Sequence, residues 1–395
     1  MRAMILAHNL RAAGGLSVGL NVVSALSEVG RKHEYLFVLP TGVGYESLRF
    51  PPRSEAFFYQ RQAGAIGQRW FEKWSLPRLA RRFSPDVVWG LGNFGLPQPP
   101  CPQAFLLHMP HFLYDRQHMP HLTANERFHL WLMRKRLVES LPSTQLVFCQ
   151  THATAERFRE RFRFLGRMDI MPNAVSRFAT PPSGPAPAIF KELHSKTVLF
   201  CLTKYYPHKN LESLVELFQR HGQRLRDVVI LLTVAADQDS RAAAFLKQLQ
   251  APALRGRIIN VGPLKQQELA GYYHHSTALI LPTLLESFTA TYLEAMKFDC
   301  PVLTSNLDFA REVCGDAAIY FEPWNVDDMC EAVVRLRDEP AIQHQLRSQG
   351  RERLTQMFPS WKEITAEALR NLTALVHGDI IPVPVGGRRV QQTAA

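Results

Sequence analysis

The chain has little that would mark a secreted, metal-bound or membrane-spanning protein. Its six cysteines (Cys101, Cys149, Cys201, Cys300, Cys314, Cys330) show no CxxC spacing, which argues against disulfides or zinc and for buried free thiols. No apolar run approaches the ~18 residues that a membrane span needs. The start, MRAMILAHNLRAAGG, has an apolar stretch too short for a signal peptide; it reads as a first strand, and a cytosolic protein is expected. There is no GxGxxG, which argues against a dinucleotide oxidoreductase. Internal repeats and low-complexity tracts are absent. Acidic residues are scarce in one half only: residues 1–180 hold 23 Lys+Arg against 12 Asp+Glu, and residues 181–395 hold 23 of each. The whole net charge of +11 therefore lies in the first half.

What is present is a chain of 395 residues, too long for one core and suited to two domains. Short β-rich runs alternate with helical patterns, the signature of parallel, doubly wound sheets. In the first half, strands are predicted at Ala3–His8, Tyr35–Leu39, Asp86–Trp89, Gln103–His108 and Leu146–Gln150, with helices at Leu16–Val29, Ala124–Glu139 and Ala153–Phe164. A proline-rich stretch, RFATPPSGPAPAIF (177–190), reads as a linker. Strands then resume at Val198–Leu202, Val228–Val234, Ile258–Val261, Ala278–Leu281, Val302–Thr304 and Ala318–Phe321, with helices at Leu211–Arg220, Gln266–His274 and Val326–Asp338. FPSWKEITAEALRNLTALVH (358–377) reads as a long terminal helix, and the tail after it has little to bury.

The most informative segment is LPTLLESFTATYLEAMKFD (281–299). An apolar, β-prone run leads into it and a helix-prone run follows. That places Glu286 in a turn and Glu294 about two turns into a helix. Strand-to-helix crevices bind ligands because free N–H groups and the helix's positive end point into them. Ser287, Phe288 and Thr289 offer such N–H groups to an anion, Glu294 reaches a ribose, and Glu286 reaches a second polyol. An anion between two polyols outlines a nucleotide-sugar. In FCLTKYYPHKNLESLVELF (200–218), Lys204 and Lys209 follow a strand and can neutralise a leaving diphosphate without a metal. Gly14-Gly15, between the first strand and a helix, let backbone approach a phosphate or sugar, or simply make a turn.

This pattern resembles the donor-binding motif of family-4 (group 1) glycosyltransferases, and the likeness continues through CPVLTSNLDFAREVCGDAAIYFEPWNVDDMCEAV (300–333). The resemblance implies an α/β protein of the GT-B fold, two Rossmann-like domains facing across a cleft. Residues 1–178 form the acceptor-side domain, 179–190 the linker and 191–357 the nucleotide-sugar domain. The helix at 358–377 crosses back to the first domain, and 378–395 is a flexible tail. It also implies sugar transfer with retention from a nucleotide-diphosphate-sugar to a glycan or lipid-linked acceptor, with no cofactor beyond that donor and no metal. Lys209-Asn210 match the family's Lys-Asn, whereas Thr203-Lys204 replace Gly-Arg. His108 resembles the active-site histidine that contacts the transferred sugar, with His111 as a rival. Asn173 lies in the counterpart of Pro-Asn-Gly-Val, and Gly262 in the loop that holds the nucleobase. Glu-Ser-Phe-Thr (286–289) stands for Glu-Gly-Phe-Gly, Thr291 for proline and Asp299 for glycine.

Asp237-Gln238-Asp239 fits the DxD pattern of metal-dependent transferases of another fold, and reads as a solvated turn. The basic stretches 68–83, 133–137 and 157–164 suit an anionic membrane, at its inner face, or an anionic acceptor; equally, they are solvated helix faces. No nucleic-acid module is recognisable, so no nucleic-acid partner is expected. Two other classes stay open: a non-catalytic partner subunit of the same fold, and a sugar-nucleotide epimerase.

Overall fold

The computed structural model describes residues 1–60, 64–177, 179–181 and 185–379. The expected tail lies outside them from residue 380 onward, as do residues 178 and 182–184 of the expected linker.

Two all-parallel sheets organise the chain. The first comprises β1 (Arg2–Leu6), β2 (Glu34–Pro40), β3 (Ser54–Tyr59), β4 (Val87–Gly90), β5 (Gln103–Leu107), β6 (Leu146–Cys149) and β7 (Arg167–Ile170), in the order β3-β2-β1-β4-β5-β6-β7. The second comprises β8 (Thr197–Cys201), β9 (Val228–Leu232), β10 (Ile258–Asn260), β11 (Ala278–Leu281), β12 (Val302–Ser305) and β13 (Ala318–Phe321), in the order β10-β9-β8-β11-β12-β13. The central strands are continuous apolar runs buried along nearly their whole length, as parallel strands covered on both faces must be. In each sheet the winding reverses once, between β1 and β4 and between β8 and β11. Ligand crevices open at such reversals, outside the carboxyl ends of the strands.

All six strands expected in the second half are present, and five of the seven in the first. The unexpected two are edge strands. β3 exposes much of its length and β7 reads Arg-Met-Asp-Ile, so neither carries a clear apolar period. The helix expected from Leu16 begins at Ala13, which takes a left-handed φ of 52° at the entry. Gly14 and Gly15 therefore lie in the first helical turn and not in a loop before it.

Helix Trp361–His377 packs on helix Ala13–Val29, burying Trp361, Ile364, Ala368, Leu369 and Leu372 against the first sheet's cluster. Arg167 donates to Asn371 at 3.0 Å across this contact, and Lys362 pairs with Glu28. Its start is a capping box in which Ser360 and Glu363 satisfy each other's backbone N–H groups. Among the described residues, no helix is long and apolar enough to cross a membrane.

Candidate active site

The reversal between β8 and β11 brings together two loops about 75 residues apart in sequence. The first loop follows β8 and turns through Pro207–Lys209, after which Asn210 adopts φ 52° and opens helix Glu212–His221. The second follows β11 into helix Ala290–Lys297. They are tied at the backbone: Leu284 N–H donates to the His208 carbonyl at 2.8 Å, and the Thr283 hydroxyl reaches the same oxygen at 3.3 Å. That stitching delivers Lys209 Nζ to Glu286 Oε1 as a largely buried ion pair, with the Thr283 hydroxyl donating to the same carboxylate oxygen at 3.1 Å. Lys204 stays exposed and forms no ion pair with the described residues.

Ser287, Phe288 and Thr289 are buried at the entrance of helix Ala290–Lys297. Their N–H groups have no acceptor among the described residues. Glu294 sits in the second turn, one turn nearer the helix start than expected because the helix opens only at Ala290. It is 8% exposed and accepts from the Tyr273 hydroxyl at 3.1 Å. Burial raises its pKa above the ordinary carboxylate value, against the lowering effects of Tyr273 and Lys297.

The first sheet contributes from the carboxyl ends of β5 and β6. The His108 N–H donates to Asn93 Oδ1 at 2.8 Å, while its carbonyl accepts from the Ser287 hydroxyl at 3.0 Å. Its ring lies over Gly15, where an added Cβ would stand 3.4 Å from the imidazole Cε1. Nothing lies within 4 Å of the equivalent position at Gly14. Burial pushes the His108 pKa down to about 4, so the ring is neutral at physiological pH. His111 packs edge-on against His208, centroids 5.0 Å apart, and burial together with the Lys209 charge takes it down to about 4 as well. The rival histidines thus occupy different places: His108 beside Gly15 and Ser287, His111 beside His208 and the Lys209 loop.

Ser287, standing where the resembling family has glycine, joins the two halves. Its hydroxyl donates to Gln150 Oε1 at 2.8 Å as well as to His108, and Thr151 donates to the Ser287 carbonyl at 3.3 Å. Gln150 in turn donates to the buried Asn173 at 2.8 Å, which places Asn173 one residue removed from the loop of Ser287. Gly262, just beyond β10, has φ 75° and open space where a side chain would be, so backbone alone faces outward there.

Sequence reading missed Gln150, Thr151, Tyr273, Thr283 and His208. Gln150, Thr151 and Thr283 carried a signal, each lying within two residues of a strand's carboxyl end. The Asp-Gln-Asp stretch is structural: Asp239 caps helix Ser240–Gln248 by accepting from Arg241 and Ala242, and Gln238 bonds Tyr205. Asp299, standing for the family's glycine, has φ 57° and pairs with Arg351 at 2.7 Å.

Residues 195–339 match the family described as "Glycosyl transferases group 1". Among curated relatives, the glycogen synthase of Mycobacterium tuberculosis is 29% identical over 126 residues, 31% of this chain and 30% of that protein. The O-antigen chain mannosyltransferase B of Escherichia coli is 24% identical over 244 residues, 60% of this chain and 62% of that protein. The match thus spans under two thirds of either relative. Sucrose-phosphate synthase from Thermosynechococcus elongatus superposes with a TM-score of 0.75 over 96% of this chain and 99% of its own, at 16% identity. Anabaena HepE, solved in complex with UDP and glucose, gives 0.69 over 95% and 100%, at 14% identity. The architecture is GT-B. Within it, residues 195–339 resemble the group 1 glycosyltransferases.

Proposed function

We propose that the protein transfers a sugar from a nucleotide-diphosphate-sugar to a glycan or lipid-linked acceptor, with retention of configuration and without a resident metal. The observation that carries this reading is the convergence of Lys209, Glu286 and the free amides of Ser287–Thr289 at the β8/β11 reversal. A sugar nucleotide leaves as a diphosphate, and its developing charge needs fixed cations and dipoles. Lys209 and Lys204 supply the cations, and the amides at the helix start supply the dipoles. On donor arrival Lys209 exchanges its Glu286 partner for phosphate oxygens, freeing Glu286 to accept from sugar hydroxyls. Glu294 grips the ribose, His108 contacts the transferred ring, and a donor phosphate oxygen takes the acceptor's proton. Gly14, Gly15, Asn173 and Gly262 complete the donor cradle, Gly262 at the base. Residues 1–178 with helix Trp361–His377 serve the acceptor, and residues 191–357 the donor. The basic first half, with Trp70 and Trp74 turned outward, supports work at an anionic membrane surface.

The test is a thermal-shift screen of the purified chain against nucleoside diphosphates and nucleotide-sugars, followed by product analysis. A ligand that binds the native state raises Tm by mass action. Stabilisation by one nucleoside diphosphate, and slow release of it from the matching sugar nucleotide, support the transferase. Binding with no release points to a partner subunit, and donor isomerised without acceptor points to an epimerase. No stabilisation by any of them overturns the reading.

A further inference from the structure

The first sheet has a reversal of its own, between β1 and β4, and a cavity of about 740 Å³ opens there. His8 and Asn9 enter it from the end of β1, Phe94 from the end of β4, and helix Leu76–Phe83 closes the far side. Asn9 donates to the Gly92 carbonyl at 2.9 Å, and the neighbouring Asn93 holds His108, so the cavity shares a sheet edge with the candidate active site.

Its chemistry is divided. Leu6, Leu76, Pro77, Phe94, Leu96 and Pro97 make an apolar wall. Five cations and two carboxylates also line it, and both carboxylates are already neutralised. Glu72, 9% exposed, lies between His8 at 3.1 Å and Arg136, and Glu139 pairs with Arg69 at 2.7 Å. That leaves Lys73, Arg78 and Arg81, all exposed, with no carboxylate partner among the described residues. Trp74, 48% exposed, stands at the mouth with the Lys73 ammonium over its ring at 5.4 Å. A concave apolar surface ringed by three uncompensated cations matches a ligand that is a hydrocarbon at one end and an anion at the other.

We infer that this cavity binds a phosphate-bearing amphiphile, the alkyl chain against the Leu76–Pro77 and Leu96–Pro97 wall and the phosphate held by Lys73, Arg78 and Arg81. The inference deepens the transferase reading by giving the class of its acceptor, and rests on that reading for this meaning. The binding is measured without donor, so the two fail separately.

The experiment is calorimetric titration of the full chain with dodecyl phosphate below its micellar concentration, beside inorganic phosphate and dodecyl maltoside. One amphiphile should bind per chain, at least about tenfold more tightly than either control. Arg78→Glu/Arg81→Glu should weaken it by about tenfold or more, with Tm and nucleotide-induced stabilisation unchanged. Inorganic phosphate binding as tightly as dodecyl phosphate would overturn the amphiphile, leaving a free-phosphate site. Equal binding of dodecyl maltoside would overturn the phosphate, and an unaffected double variant would overturn the location.

Discussion

Lys209 is the residue on which most depends. It is held against Glu286 by a short turn, so it is positioned before any donor arrives. Lys209→Ala should lower kcat by roughly 100- to 1,000-fold, the cost of removing one preorganised stabiliser, with the fold retained. Steady-state kinetics and a circular-dichroism melt check both halves of that statement. Glu294 shows the opposite balance between stability and binding. Its folded pKa is raised, so between the unfolded and folded values the native state binds more protons, and stability falls as pH rises through that window. Glu294→Gln should therefore raise Tm at neutral pH, with the gain shrinking in acid, while donor KM rises. A Tm unchanged at neutral pH would count against a buried, ionised Glu294.

At the scale of elements, the seam between the β5 and β8 loops carries half-buried neutral imidazoles. His108 and His111 titrate near 4, and His208 is also depressed, in each case chiefly by burial. The unfolded chain binds protons at its ordinary value of 6.5, so stability present at neutral pH is lost progressively as pH falls from about 6.5 towards 4. Urea unfolding across that range should show it, and His111→Phe should flatten the slope. The terminal helix makes a second case. Leu372 is fully buried against the first sheet's cluster, so Leu372→Ala should cost about 2–5 kcal/mol. Ser360→Ala should cost about 1 kcal/mol through the lost cap.

Across the whole molecule, several contacts between loops and helices fasten the half built on the first sheet to the half built on the second. Tyr114 and Arg157 both bond Asp308, at 2.7 and 2.8 Å, and Glu312 accepts from the N–H groups of His152 and Ala153 at 2.5 and 2.9 Å. Arg241 pairs with Glu126 at 2.6 Å, and Ser287 adds its two bonds from the loop after β11. The Ser287 hydroxyl is therefore a strap, not only an obstruction in a crevice that glycine would widen. Ser287→Gly should speed hydrogen exchange of the amides at 283–289 and 108–112 and leave the distant terminal helix unaffected. Equal exchange in the two proteins would show that the strap holds nothing.

The sequence alone determined the parallel α/β class, nearly every central strand, and the placing of a Lys-Asn turn and a two-glutamate motif each just after a strand. These are legible because buried parallel strands read as unbroken apolar runs and because caps and turns are local. Edge strands β3 and β7 escaped: β3 is half open to water and need not be apolar, and β7 carries Arg167 and Asp169, paired with each other at 2.8 Å. So did the placing of Gly14 and Gly15 inside a helix, which depends on a single left-handed residue, Ala13. Tertiary structure alone decided that Lys209 meets Glu286, that Ser287 reaches His108 and Gln150, and that the two histidines part company. Those contacts join residues 77 to 179 positions apart. Strand order brings such residues together, and no local periodicity encodes it.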